Sequence, residues 1–308
     1  MLGKMKSPLV SVVIPTYKRP RKLTRALNSV LNQTYSNLEM IVVNDDPKSD
    51  LKDMLKFTDD RIRLINHEKH RGGSAARNTG IKIASGDYIA FLDDDDEWIE
   101  SKIQRQVKIA EKIEANFIAT SREVYNARGN LVNIRSCEIE KPIFNKLMIN
   151  NYIGTASSVM VERTVLKEVG YFDESLQSCQ DWDMWLRMAK NGYKYKCISE
   201  PLIKYHIHNS DRITTNKYAR RQGRKAIEKK YEREIKDLPN AKEAYHYSIF
   251  GKKNYADGLR KKAFLNFFKA TRTYPPITPH ILVNWIKFLI SFHLDLKKLP
   301  HPKHHISL

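Results

Sequence analysis

Residues 88–98 read Tyr88-Ile89-Ala90-Phe91-Leu92-Asp93-Asp94-Asp95-Asp96-Glu97-Trp98. An apolar, strand-like run ends in four consecutive aspartates. A buried strand that delivers carboxylates to its C-terminal edge is how an open α/β sheet lines a ligand crevice. Adjacent carboxylates repel one another, so the cluster implies a cation among them. An all-oxygen donor set favours Mg²⁺ or Mn²⁺ and leaves positions for phosphate oxygens. The alternative is an acidic loop that caps the helix after it.

Around this stretch the pattern alternates. Residues 9–14 form a near-continuous β-branched run, as in a strand buried on both faces. Leu23, Ala26, Leu27, Val30 and Leu31 recur at helical spacing. Residues 38–43 and 61–65 read as strands, 74–84 as a helix after Gly72-Gly73, and 98–113 as a helix. Strands alternating with helices predict βαβ units and a mostly parallel sheet. Beyond residue 115 the alternation loosens: strands are expected at 117–120, 157–161, 193–198 and 202–206, a short helix at 181–189, and helices from about 211 onward.

At 308 residues the chain is long enough for one large domain, or a domain with an appendage. Lys4 and Lys6 are followed directly by a strand-like run ending at Pro15, so no secretory signal peptide is expected. Cys137, Cys179 and Cys197 are odd in number and lack CxxC spacing, which predicts reduced thiols in a cytoplasmic protein. The net charge of +19 is uneven. Residues 212–308 carry 22 Lys and Arg against 7 Asp and Glu, a net +15, whereas residues 1–211 carry 32 against 28, a net +4. The basic region suits an anionic surface or partner, or else presents solvated lysines on exposed helix faces. Residues 281–292 are the most apolar late segment. They are too short to span a bilayer and read either as an interfacial segment or as a buried helix.

No GxGxxG follows the first strand, and no GxxxxGK[ST], HExxH or G-x-S-x-G occurs, which disfavours Rossmann dinucleotide binding and P-loop hydrolysis. Polar residues cluster instead at strand ends: Thr16, Tyr17 and Arg19 after the first, Asp45 and Asp46 after the second, and the aspartate run after the fourth. Arg71 and Arg77 lie nearby, and arginine suits bidentate phosphate contact. Taken together they describe a pocket for a nucleoside diphosphate and a metal.

The motifs SVVIPTYKRP, LEMIVVNDD, RGGSAARNTGI, GDYIAFLDDDDEW, QDWDMWLRMAKNGY and YHIH occur in this order. The chain resembles the family 2 glycosyltransferases of the GT-A fold across about residues 8–210. The resemblance implies an α/β GT-A catalytic domain over 1–211, with a nucleotide-sugar half at about 1–115 and an acceptor half at about 116–211. Residues 212–308 would be a basic helical appendage. It implies an inverting hexosyl- or N-acetylhexosaminyltransferase that uses a nucleotide-sugar, here expected to be a UDP-sugar, and Mn²⁺ or Mg²⁺. A glycan or lipid-linked acceptor in cell-envelope polysaccharide synthesis is expected, at the inner face of the membrane. The implied donor contacts are Thr16, Tyr17, Arg19, Asp45, Arg77, Asp93 and Asp94. Asp94 and Asp95 match the DxD motif, with Asp95 as metal ligand and Asp93 and Asp96 extending the run by one on each side. His206 and His208 fall where some GT-A enzymes supply a late metal or diphosphate contact, and His208 is the expected second metal ligand.

Asp181 falls at the position of the family's catalytic base. An acceptor hydroxyl must lose its proton as it attacks, and a positioned carboxylate can take it. Asp181 could equally cap the helix that follows, Asp183 is the reserve base, and Trp182 suits either a sugar face or the core. Gln180 stands where the family often has Glu, and the turn after Asp45 departs from the usual Gly-Ser-Thr-Asp. The competing readings are a sugar-phosphate nucleotidyltransferase and a basic nucleic-acid-binding protein. The near-neutral charge of the motif-bearing body argues against nucleic acid as the partner.

Overall fold

The first strand, β1 (Val10–Thr16), is buried almost throughout, as its unbroken apolar run requires of an inner strand with both faces covered. The computed structural model describes residues 7–51, 59–139, 141–207 and 216–274. Helix α1 (Pro20–Leu31) opens on a proline, which fits where no intrahelical amide bond is lost, and buries Leu23, Ala26, Leu27 and Val30 along one stripe. β2 (Leu38–Asn44), β3 (Ile62–Asn66), α2 (Gly73–Ile83), β4 (Tyr88–Phe91), β5 (Glu97–Trp98) and α3 (Lys102–Ile113) follow. β1 runs parallel to β2 and β4, and β2 parallel to β3. The C-terminal ends of β1, β2 and β4 therefore lie along one edge.

Next come β6 (Phe117–Tyr125), β7 (Leu131–Arg135), α4 (Ile143–Ile149), β8 (Val159–Glu162), α5 (Arg163–Glu168), α6 (Gln180–Lys190) and β9 (Tyr195–His206). β8 pairs antiparallel with β4 and β6, β6 parallel with β9, and β9 antiparallel with β5. The strand order is β3-β2-β1-β4-β8-β6-β9-β5, with β7 on β6. The α/β expectation holds, with a parallel sheet through β4 and a mixed one beyond.

Four details differ from the sequence expectation. Glu97 and Trp98 pair with β9, so α3 starts at Lys102 instead of Trp98. The two strands expected over 193–206 are the single β9, with a register shift opposite Thr120 and Ser121. The β6–β7 hairpin was not anticipated: β7 is exposed along its whole length and so carries no inward apolar alternation. The expectation of three reduced thiols fails as well. Cys137 and Cys197 form a disulfide, with Cα atoms 5.7 Å apart. Sixty residues separate them, and only the return of the chain along β9 makes them neighbours, so no local spacing rule could pair them.

A polar network lies beneath the β4 edge. The buried Lys102 ammonium donates to Gln106 Oε1 at 2.8 Å and sits 3.9 Å from the Trp98 ring centroid. Desolvation drives this amine well below its usual pKa. Gln106 Nε2 donates to the carbonyls of Ile118 and Ser158, and Trp98 Nε1 to that of Ser157. These bonds fix the Ala156–Ser158 turn against the sheet.

The chain divides into two compact units: residues up to 147 with 151–227, and residues 148–150 with 228 onward. Helix α7 (Lys217–Lys230) runs across the division. In the second unit, α8 (Glu232–Lys236), α9 (Asn240–Ala256) and α10 (Arg260–Thr273) follow in turn. Ala244 and Ala270 pack with Tyr247 and Tyr274, and Ala263 and Phe267 with Tyr255, as in an antiparallel helix pair. Among the described residues, no helix is long and apolar enough to cross a membrane. The apolar run at 281–292 lies outside them.

Gly86 enters β4 where its amide donates to Ser11 Oγ at 2.8 Å. A Cβ there would stand 2.7 Å from both Leu9 O and Ser11 N. These are backbone atoms of the β1 region and cannot rotate away. We expect Gly86→Ala to cost about 1–3 kcal/mol in a denaturant titration. An unchanged midpoint would contradict the packing described.

Candidate active site

The four aspartates do not form one acidic mass. The Asp96 amide donates to Asp93 O at 3.1 Å, closing a turn that sends each side chain a different way. Asp93 pairs with Arg77, whose guanidinium also lies 5.5 Å from the Phe172 ring centroid. Asp94 Oδ2 accepts from Thr16 Oγ1 at 2.8 Å. Asp94 Oδ1 and Asp95 Oδ2 both lie 3.2 Å from Arg19 Nη1, so these two oxygens converge on a single point. Asp96 turns inward, where its Oδ2 accepts from Ser157 Oγ at 2.7 Å. The same hydroxyl accepts the Asp93 amide at 3.1 Å.

Asp94 and Asp95 thus share Arg19, Asp93 faces Arg77, and Asp96 turns into the protein. Burial raises the Asp94 carboxyl to about 6, with Asp95 adding to the rise while Arg19 and Thr16 oppose it. Arg25 supports the loop from behind: its Nη2 donates to Asp95 O at 2.8 Å and its Nε pairs with Glu97 at 3.2 Å. Glu97 in turn meets His206 Nε2 at 2.6 Å. His206 also stacks on Tyr125, and burial lowers its pKa, aided by Arg25. His206 thus belongs to this support. His208 lies outside the described residues.

Both carboxylate oxygens of Asp45 are engaged within the chain. Its Oδ1 accepts from the Arg71 amide at 2.8 Å and meets His67 Nδ1 at 2.8 Å. Its Oδ2 accepts from the Gly72 amide at 2.7 Å and meets His70 Nδ1 at 2.9 Å. Both oxygens hold the turn that launches α2, where Gly72 has φ +90°, a value that favours glycine. Asp46 likewise accepts from the Lys48 amide and the Ser49 hydroxyl. Tyr17 is 38% exposed at this end, with its ring 4.4 Å from that of His70 and Lys18 Nζ 4.9 Å from its centroid. Such a pair offers a stacking edge for a planar base.

Helix α6 starts at Gln180, so Asp181 sits inside the first turn and is not its cap. Its Oδ1 accepts from the neighbouring Trp182 amide at 2.7 Å, one of the unsatisfied amides of a helix start. Asp181 keeps part of its surface open, while desolvation raises its carboxyl to about 6. The Trp182 amide, Arg77 and Arg122 pull against that rise, and Asp93 adds to it. Asp181 therefore lies in the electrostatic field of the aspartate loop. Asp183 is fully buried, and Arg187 Nε holds it at 2.8 Å. Arg187 also donates to the carbonyls of Val169 and Tyr171. Trp182 is core, with its Nε1 on Leu147 O at 2.8 Å.

Two site residues were not found in the sequence. Ser157 gives no motif signal. Arg122, on β6, has a buried Nη1 without a hydrogen-bond partner and lies in the field of Tyr205, Asp96 and Asp181. Gly154, with φ +99°, makes room for it: a Cβ there would stand 2.0 Å from Arg122 Nη1. Arg122 enters the field of Asp181 only in the folded chain.

Comparison with known proteins places the chain in a family. The model of the glycosyl transferase family 2 family matches residues 11–170. The chain belongs to the family 2 glycosyltransferases. An uncharacterized glycosyltransferase of Methanocaldococcus jannaschii, MJ1057, is 34% identical over 220 residues, covering 68% of this chain and 75% of the relative. Escherichia coli WfgD, named as a UDP-Glc:alpha-D-GlcNAc-diphosphoundecaprenol beta-1,3-glucosyltransferase, is 34% identical over 213 residues, covering 68% and 81%. Residues 1–349 of S. aureus TarS, solved in complex with UDP-GlcNAc, superpose with a TM-score of 0.58 at 18% identity, over 92% of this chain and 80% of that one. The fold of this glycosyltransferase is GT-A.

The environments of its two α6 carboxylates predict opposite phenotypes. Asp183→Ala strands a mostly buried Arg187 and should destabilise the protein by about 3 kcal/mol or more. Asp181→Asn should leave the denaturation midpoint nearly unchanged. The reverse order in a urea titration would contradict the roles drawn from their partners.

Proposed function

We propose that this glycosyltransferase moves a sugar, with inversion, from a UDP-sugar to a hydroxyl of a glycan or lipid-linked acceptor in cell-envelope polysaccharide synthesis. The observation that carries the reading is a division of labour among carboxylates. Asp94 and Asp95 converge on one cation position at the sheet edge, while Asp181 is a separate carboxylate raised to about 6. The WfgD name, with its UDP-Glc donor and diphosphoundecaprenol-linked acceptor, supports the donor and acceptor classes.

In this reading the uracil stacks at Tyr17 and His70, and Arg19 and Arg77 face the diphosphate. Arginine suits that role because its planar fork can meet two oxygens at once. Asp181 takes the acceptor proton while the acceptor oxygen bonds to the anomeric carbon. The bond from that carbon to the phosphate oxygen breaks on the opposite face, and its electron pair leaves with UDP. Arg122 and Arg77 counter the desolvation of Asp181, so it remains ionised at neutral pH.

The donor set fits a hard divalent ion. Two carboxylate oxygens share one point, 3.2 Å from Arg19 Nη1. An ion held by one or two carboxylates completes its shell with water and substrate phosphates. Asp95 and Asp94 would hold Mg²⁺ or Mn²⁺, which when bound supplies positive charge at the leaving diphosphate.

Asp181→Asn should lower turnover roughly 10²–10⁴-fold, the range for loss of a general base, with UDP affinity retained. Near-normal transfer would remove Asp181 as the base. The pH dependence follows from the direction of the shifts. Asp181 acts as a carboxylate, so kcat/KM should be flat at neutral pH and fall as the pH drops through about 6. A profile flat down to the ordinary carboxylate range near 4 would contradict this. Chelation by EDTA should abolish UDP release, and Mn²⁺ should restore it. Full activity in EDTA would exclude the metal.

A further inference from the structure

Helix α10 carries two apolar faces. One is used within its own unit: Ala263, Phe267 and Ala270 are buried, and Phe267 packs on Gly251. The other consists of Phe264, Leu265 and Phe268, exposed by 47%, 55% and 52%. Phe264 and Phe268 lie one turn apart with their rings stacked, 6.5 Å between centroids. Three large apolar side chains gathered on one stripe of a short helix are an interaction patch, not scattered surface residues.

The charges around the patch narrow the partner. From Arg260 to Thr273 the helix has five basic residues, Arg260, Lys261, Lys262, Lys269 and Arg272, and no acidic one. Lys261, Lys262 and Arg272 are exposed. At about 100° per residue, Lys261 and Arg272 project between Phe268 and Leu265, within the apolar stripe. A protein partner with a purely apolar groove would have to bury those cations. An anionic bilayer surface takes both chemistries together, aromatic rings at the headgroup level and cations against the phosphates.

We propose that the Phe264–Leu265–Phe268 face of α10 docks on an anionic phospholipid surface. The face does not depend on the identity of the sugar or nucleotide. It would bring the enzyme to the surface where a lipid-linked acceptor is presented.

The full-length protein is co-sedimented with phosphatidylcholine vesicles with and without phosphatidylglycerol, at low and high salt. Binding should appear only on the anionic vesicles and weaken with salt, because exposed charges are screened. The variant F264S/L265S/F268S should lose at least about tenfold in partitioning, since the apolar anchor is removed. The variant K261Q/K262Q/R272Q should lose roughly 10²-fold, at about fivefold per cation, and most of the salt dependence. Thermal melts of both variants should match the parent. Absence of parent binding, equal binding to both vesicle types, or unchanged partitioning of either variant would overturn the proposal. So would a large drop in the apolar variant's melting temperature or a dimer dissociated by it, since either assigns the face to contacts between protein segments. Neither arm uses a donor sugar, so failure here leaves the glycosyl-transfer reading untouched.

Discussion

Four adjacent carboxylates at the end of a buried strand repel one another, and the site is organised by how that repulsion is relieved. The turn closed between Asp93 and Asp96 separates the side chains, and each is met by its own donor: Arg77, Thr16 with Arg19, Arg19 again, and Ser157. Ser157 acts at both ends of the loop, accepting the Asp93 amide and donating to Asp96. Its own backbone is fixed by Trp98, and Gln106 holds the next carbonyl. The buried Lys102–Gln106 pair beneath is therefore connected to the geometry of the acidic loop above it. Removing a partner from such a buried network costs more than the mean hydrogen bond, because a desolvated group is left unmet.

The same logic separates the two acids of α6. Asp181 and Asp183 are two residues apart and chemically alike, yet one is drawn into a buried ion pair and the other is left desolvated with a single amide for company. Asp181 has the raised carboxyl and remaining surface that its proposed role as base needs, whereas Asp183 holds α6 to the chain after α5 through Arg187.

Most of the nucleotide half was legible because local signals agree there. β1 and β2 read as buried apolar runs, α1 as a stripe, and the parallel order follows from their alternation with helices. Strand-end positions drew attention to Thr16 and the aspartate run, and the family resemblance to Asp181. The misreadings of β5 and of the disulfide share one cause, contact between residues far apart in sequence. β5 is a strand only because β9 returns beside it, and Cys137 meets Cys197 for the same kind of reason. Ser157 reaches the site from the Ala156–Ser158 turn and Arg122 from β6, and neither local pattern carries chemistry. Asp45 was placed correctly at the β2 end, but its oxygens meet the amides of a loop 26 and 27 residues away, a pairing invisible in the motif.

The central claim is that Asp94 and Asp95 converge on the position where a divalent cation meets a nucleoside diphosphate. Titration calorimetry of UDP into the protein, with Mn²⁺ and with EDTA, tests it directly when repeated on Asp95→Asn. The account predicts tight UDP binding that requires Mn²⁺ in the parent and loses that requirement, together with most of its affinity, in the variant. Equal affinity in Mn²⁺ and EDTA, or a metal requirement that survives in Asp95→Asn, would contradict it.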